Sequence, residues 1–186
     1  METQLEIEQA DVQAPSDQMR DQTTTSKSTE AEPKQTRKKA VLRPKAVHTY
    51  DTIVVGAGIS GIAAAYKMKQ VGYQDYLVLE KAERVGGTWR DNNYPGCGCD
   101  VPSALYSFSL APSHQWSHLF AKQPEILSYL EQVVEQFELQ DKIRFQHELL
   151  SAKWNDETNI WQLETSQGAY QTRTVIFSTG PITEPS

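Results

Sequence analysis

Apolar and polar positions divide the chain into a polar opening stretch and a patterned remainder that begins near Tyr50. Tyr50 to Val55 is a short apolar, β-branched run that suits a buried parallel strand. Ser60 to Val71 follows, with Ala63, Ala64 and Ala65 as small, strong helix formers, and Gly72 stands where a helix would stop. Asp75 to Glu80 is a second apolar run that closes on a carboxylate. Lys81 to Phe120 shows neither a strand nor a helix period, yet it carries Trp89, Tyr94, Tyr106, Phe108, Trp116 and Phe120. An irregular segment of that length inside a domain is usually functional.

Order returns at Gln123-Pro124-Glu125, which places proline in a first helical turn. Ile126, Leu127, Leu130, Val133, Val134 and Phe137 then give one apolar face, the pattern of a packing helix. Lys142 to Phe145 reads as a short strand. Leu149 to Trp154, Ile160 to Thr165 and Tyr170 to Thr172 alternate as a small antiparallel meander, with turns at Asn155 to Asn159 and at Gln167-Gly168. Thr174 to Ser178 reads as a buried apolar strand, closed by Thr179-Gly180-Pro181 where a chain would cross beneath a cofactor. The expected fold is α/β and Rossmann-like, a parallel sheet with a crossover helix and a small antiparallel β-meander.

The turn after the first strand carries the chemistry. Residues 53 to 61 read Ile-Val-Val-Gly-Ala-Gly-Ile-Ser-Gly, and Glu80 follows at the spacing of a dinucleotide-binding unit. Gly56 would let the strand turn sharply, Gly58 would clear the way for a pyrophosphate, and Gly61 would let the helix lie close to the sheet. A diphosphate would rest on the amides at the helix N-terminus, where the helix dipole favours negative charge. The Glu80 carboxylate can accept both hydroxyls of an adenosine ribose and would repel a 2′-phosphate, so the expected nucleotide is FAD or NAD. A lone glycine motif is weak; strand, turn, helix, strand and acid in sequence make it specific.

Composition narrows the picture. The net charge is −6, and residues 1 to 48 hold eight basic and eight acidic groups, so the whole excess sits in the remainder and argues against a nucleic-acid partner. Residues 1 to 48 are rich in Gln, Thr, Ser, Glu and Lys and lack aromatic side chains, so they read as a disordered tail. Six basic residues without an acid lie between Lys34 and Lys45, read as a solvated linker with phosphate or membrane contact as the alternative. No signal-peptide core, transit-peptide pattern or membrane-length apolar run occurs, and a cytoplasmic location is the default. Cys97 and Cys99 are too close for ordinary disulfide geometry and fall short of a zinc site. His114 and His118, one helical turn apart, lack a third ligand, so no metal is expected.

Within the irregular segment, Gly86 and Gly87 permit close backbone approach, and Thr88 and Trp89 offer a hydroxyl and a flat face suited to a ribityl chain and an isoalloxazine ring. Asp100 falls among the aromatic residues of this segment. It would tune a flavin or position a cationic partner, or else cap Ser103 or its neighbours.

The order Gly56-x-Gly58-x-x-Gly61, Glu80, Gly86-Gly87-Thr88-Trp89, Asn92-x-Tyr94-Pro95-Gly96-x-x-Cys99-Asp100-x-x-Ser103-x-x-Tyr106-x-x-Ser109 resembles the FAD-binding half of Baeyer-Villiger monooxygenases, close to the cyclohexanone and phenylacetone types. The Tyr-Pro-Gly-x-x-Cys-Asp segment is the specific part, because N-oxide-forming flavin monooxygenases share Gly-Gly-x-Trp and do not usually carry it. The resemblance runs from about Tyr50 to the last residue. It implies that FAD is held at Ser60, Glu80, Thr88, Trp89, Asp100, Tyr106 and the backbone near Leu149, with Gly56, Gly58, Gly61 and Gly87 shaping the cradle. It further implies that Asp100 faces the flavin and orients an arginine that steadies a C4a-peroxyflavin. Asn93 and Gly98 stand where members often carry Arg, so those guanidinium contacts do not carry over.

The domain expectation is a disordered tail over 1 to 48 and, over 49 to 186, the N-terminal portion of an FAD-binding domain of a longer flavoprotein. The family's Phe-x-Gly-x-x-x-His-x-x-x-Trp signature, second glycine motif for NADPH and catalytic arginine do not occur before Ser186. By resemblance, the complete enzyme reduces FAD with NADPH and inserts one oxygen atom beside a ketone carbonyl, with the missing half in the same or a separate chain. Two other readings remain: a non-catalytic FAD or nucleotide-binding module, and an N- or S-oxygenating flavin monooxygenase.

Overall fold

The computed structural model describes residues 48–113 and 115–181. The tail expected over 1–48, with its basic stretch, lies outside the described residues except for His48. That side chain meets Asp75 at 3.2 Å and packs edge-on against Tyr50.

Strand β1 (Thr49–Val55) runs into helix α1 (Ile59–Gln70), which returns the chain to strand β2 (Tyr76–Leu79). A long irregular segment follows, broken by one short helix, α2 (Thr88–Asp91). Helix α3 (Gln123–Gln136) and a 3-10 turn (Gln140–Lys142) lead to β3 (Ile143–Arg144), and then β4 (Leu149–Asn155), β5 (Ile160–Thr165) and β6 (Gly168–Phe177) complete one sheet. Its strand order is β3-β2-β1-β6-β5-β4. The pairs among β3, β2, β1 and β6 are parallel, and those of β6 with β5 and β5 with β4 are antiparallel.

Strand β1 lies between β2 and β6, in register Val54 with Val78 on one side and Val54 with Ile176 on the other. Its apolar run is continuous because both faces are covered. Val54, Tyr76 and Val78 pack under the helices with Ile62, Ile126, Leu130 and Val133, while Ile53, Val55, Leu77 and Leu79 pack on the other face with Leu163 from β5. Each fully buried aliphatic side chain of this set contributes roughly 1.5–3 kcal/mol.

Helix α1 ends as its sequence requires: Gly72 adopts φ +75°, its amide donates to the Lys69 carbonyl, and the Tyr73 amide donates to that of Met68. Helix α3 buries the expected stripe and also Tyr129, whose hydroxyl donates to the Ala111 carbonyl and accepts the Phe108 amide, both at 2.7 Å. That pair of bonds anchors the irregular segment to the helix. The segment also folds back on itself: Gly98 bridges Lys122, and buried Ser103 donates its amide to the Leu119 carbonyl while its hydroxyl accepts the Ala121 amide.

Two expectations are corrected here. Tyr170 to Thr172 and Thr174 to Phe177 are parts of the single strand β6, which pairs with β5 over Gly168 to Thr172 and with β1 over Gln171 to Phe177. Its C-terminal half is also not buried: Ile176 is 37% and Phe177 56% exposed. Helix α1 packs on β1 and β2.

Candidate nucleotide-binding site

The C-terminal ends of β1, β2 and β6 open onto one cavity of about 610 Å³, at the crevice where open parallel sheets bind ligands. Its size lies within the roughly 300–1,000 Å³ usual for small-molecule sites. Gly56, Gly58, Ile59 and Ser60 supply one wall; Glu80, Lys81 and the run from Gly86 to Asp91 supply another. Tyr106, the run from His147 to Leu149 and the run from Phe177 to Pro181 close it.

The glycines owe their places to backbone geometry. Gly56 has φ +102°, and a Cβ there would stand 2.5 Å from the Ser178 carbonyl oxygen, so the turn after β1 and the end of β6 touch through backbone alone. A Cβ on Gly61 would fall 1.9 Å from the Gly56 carbonyl oxygen. Gly61 is buried, absent from the cavity wall, and serves to seat the helix on its own turn. Gly58 and Gly87 face one another: a Cβ on Gly87 would lie 3.0 Å from the Gly58 Cα. The Gly86 amide donates to the Ala57 carbonyl at 3.0 Å, which ties the two glycine turns into one floor. No side chain caps α1, so the amides of its first turn are left for a ligand anion beside exposed Ser60.

Glu80 is 4% exposed and joins three segments. Its Oε2 accepts the Ala57 amide at 2.7 Å, and its Oε1 accepts the Ala82 amide at 2.9 Å and Arg90 Nη1 at 2.9 Å. Arg90 is held in turn by Asp91, which accepts its Nε at 2.7 Å and its Nη2 at 2.9 Å, and by the Arg84 carbonyl at 2.7 Å. Burial pulls the guanidinium pKa down, but the hydrogen bond and charge of Asp91 and the charge of Glu80 outweigh it and raise the value above normal.

Trp89 and Tyr106 form a second unit of the wall. The indole Nε1 donates to the Tyr106 hydroxyl at 2.9 Å, and the rings meet edge-on, 5.5 Å apart at 82°. Trp89 is 9% exposed, and its carbonyl accepts the buried Gln123 side-chain amide, so most of the flat face expected to be open is packed. Burial raises the Tyr106 pKa; the bond from Trp89 opposes this, and the charges of Cys99 and Asp100 add to it.

Of the candidate residues, Gly56, Gly58, Ser60, Glu80, Gly87, Thr88, Trp89, Tyr106 and Leu149 converge on the cavity. Asp100 does not. It is exposed and outside the lining. The Ser103 amide is bound to Leu119, so Asp100 does not cap that residue. Cys97 and Cys99 are buried free thiols. His118 is exposed and contacts Ser117, and His114 lies outside the described residues. Among the described residues no group of three His, Cys, Asp or Glu side chains could hold a metal ion, and no helix is long and apolar enough to cross a membrane.

Sequence reasoning passed over Arg90, His147, Glu148 and Phe177. The charged residue immediately after Thr88-Trp89 was a usable signal for Arg90. His147 enters because its amide pairs with the Glu80 carbonyl at 2.9 Å, a contact between distant segments that no local pattern marks.

A βαβ unit with a glycine turn, an uncapped helix N-terminus and a buried acid at the end of the second strand defines a dinucleotide-binding α/β domain. The chain belongs to the pyridine nucleotide-disulphide oxidoreductase family, whose model matches residues 53–186. Over 132 residues it is 46% identical to a Baeyer-Villiger monooxygenase of Streptomyces coelicolor, covering 71% of this chain and 25% of that protein. Its fold matches a cyclohexanone-bound structure of cyclohexanone monooxygenase with a TM-score of 0.68 at 39% identity, over 72% of this chain and 27% of that one. It also matches OTEMO in complex with FAD and NADP with a TM-score of 0.70 at 32% identity, over 74% of this chain and 26% of that one. The chain thus spans about a quarter of the length of the relatives it matches.

Proposed function

We propose that residues 49 to 186 bind FAD as the N-terminal part of an NADPH- and oxygen-dependent flavin monooxygenase of the Baeyer-Villiger type. The observation that carries the reading is the junction of Glu80 with the two glycine turns. A buried carboxylate suited to ribose, a side-chain-free floor at Gly58 and Gly87, and the uncapped first turn of α1, suited to a diphosphate, meet at one cavity.

These residues fit the cofactor. Glu80 would hold the ribose, the first turn of α1 the diphosphate, and Thr88, Trp89 and Tyr106 the ribityl and ring portion, with the backbone of Leu149 and Thr179 to Pro181 along the opposite side. Bound there, FAD would supply the redox chemistry with oxygen. The chain's own residues bind and orient it and keep water from the Trp89 side. NADPH and a ketone substrate would be taken up by the remainder of such an enzyme, whether it is supplied by the same protein or by a separate chain. Asp100, outside the cavity lining, is assigned the task of orienting an arginine supplied by the remainder of such an enzyme, and a cytoplasmic location goes with this reading.

The test is a preparation that contains these residues together with the matching remainder of such an enzyme, assayed for NADPH- and FAD-dependent conversion of cyclic ketones to lactones. Ketone insertion is the expected result; oxidation of amines or sulfides without it would move the reading to an N- or S-oxygenating enzyme.

A further inference from the structure

Glu80 and Arg90 are side chains of the cavity wall that spend their bonding capacity on each other, on backbone and, for Arg90, on the Asp91 carboxylate. A carboxylate offers about four acceptor positions. Oε1 is filled by the Ala82 amide and Arg90 Nη1, while Oε2 holds the Ala57 amide and, among the described residues, keeps one position open. The pair is nearly sealed, with side chains 9% and 5% exposed for Arg90 and Glu80. Arg90 cannot swing away easily, because Asp91 grips its Nε and Nη2 as a fork and the Arg84 carbonyl takes a second bond from Nη1.

We propose that Arg90 is a positioning residue that fixes the plane of the Glu80 carboxylate, so that Oε2 turns its remaining acceptor position toward a ribose hydroxyl of the bound adenine nucleotide. The inference deepens the FAD-binding reading and rests on it. Without the guanidinium, each carboxylate oxygen would keep a single backbone partner, Ala82 on Oε1 and Ala57 on Oε2, and the plane would lose its one charged contact. Lysine cannot replace it fully: its single nitrogen reaches Glu80 or Asp91 without the planar fork that locks both.

The experiment uses the full chain with the Arg90→Gln and Arg90→Lys variants, and measures calorimetric affinity for ADP, 2′-deoxy-ADP and 3′-deoxy-ADP. The wild type is expected to prefer ADP over at least one deoxy analogue by about tenfold, as the loss of one hydrogen bond to a charged group implies. Arg90→Gln should bring that ratio close to one, and Arg90→Lys should retain part of it. A purely structural role would weaken all three ligands equally and leave the ratio unchanged in either variant, which would overturn the proposal. Arg90→Lys keeps the test alive if Arg90→Gln fails to fold. A wild type that binds ADP without ribose preference would overturn the positioning role while sparing the nucleotide site. A folded wild type that binds neither ADP nor FAD would overturn both.

Discussion

The carbonyl oxygen of Gly56 lies 1.9 Å from the point where a Cβ on Gly61 would stand, so the third glycine of the motif is required by the fold itself, ahead of any ligand. Gly61→Ala should therefore destabilise the protein by about 3 kcal/mol or more, the upper end of overpacking costs, since backbone must move. Gly72→Ala is the control: nothing lies within 4 Å of its Cβ, and its φ of +75° should cost about 1–2 kcal/mol. Urea unfolding of the two variants gives both values, and equal losses would contradict the packing account.

Gly58 behaves differently. Its φ is −77°, and a Cβ there would meet the Gly87 Cα at 3.6 Å, an ordinary contact. Gly58→Ala should keep the melting temperature within a few degrees of wild type while raising the Kd for FAD at least tenfold, because the methyl group narrows the diphosphate floor. Unchanged flavin affinity would remove the glycine turn from the site.

Glu80→Ala removes one partner of a buried ion pair and strands the amides of Ala57 and Ala82. The expected loss is about 3–5 kcal/mol of folding stability, in addition to weaker FAD binding. Glu80→Gln, which keeps the shape, should lose less stability than the alanine variant. Denaturation curves that show no loss for Glu80→Ala would mean that the three segments it joins hold together without it.

Much of the unit that positions the site is legible in the sequence because it is local. Ile53 to Val55 is apolar without interruption, Gly56 to Gly61 sets the turn, and Glu80 ends the next strand; each is read within a few residues. What escapes is whatever depends on distant segments. Helix α2 is four residues long and begins after Gly86 and Gly87, both with positive φ, so it has no periodicity to detect. Ile176 and Phe177 look like core residues in a strand that pairs well, but apolarity predicts burial only where something covers the face. Arg90 follows Thr88-Trp89 in plain view, but its buried pairing with Glu80 appears only when the fold brings the two segments together. Asp100 shows the converse: its place in a specific motif points to the cavity, and its exposed side chain lies outside the lining.

Burial raises the phenol pKa of Tyr76, Tyr106, Tyr129 and Tyr170 above the normal value of 10. A group whose pKa is raised in the folded state contributes stability fully below its unfolded pKa, and loses it as pH rises through the folded value. Stability should therefore hold up to about pH 9 and fall progressively above pH 10. Phenolate absorbance followed against pH should show these tyrosines ionising late, in step with unfolding. Early ionisation of all eight tyrosines in a folded chain would contradict their burial.

The most direct measurement is an FAD titration of the purified chain, following flavin fluorescence and the change in melting temperature. The account predicts saturable binding with one FAD per chain and a rise in melting temperature that grows with ligand concentration. A folded chain whose flavin signal and melting temperature stay unchanged at high FAD concentration would contradict it.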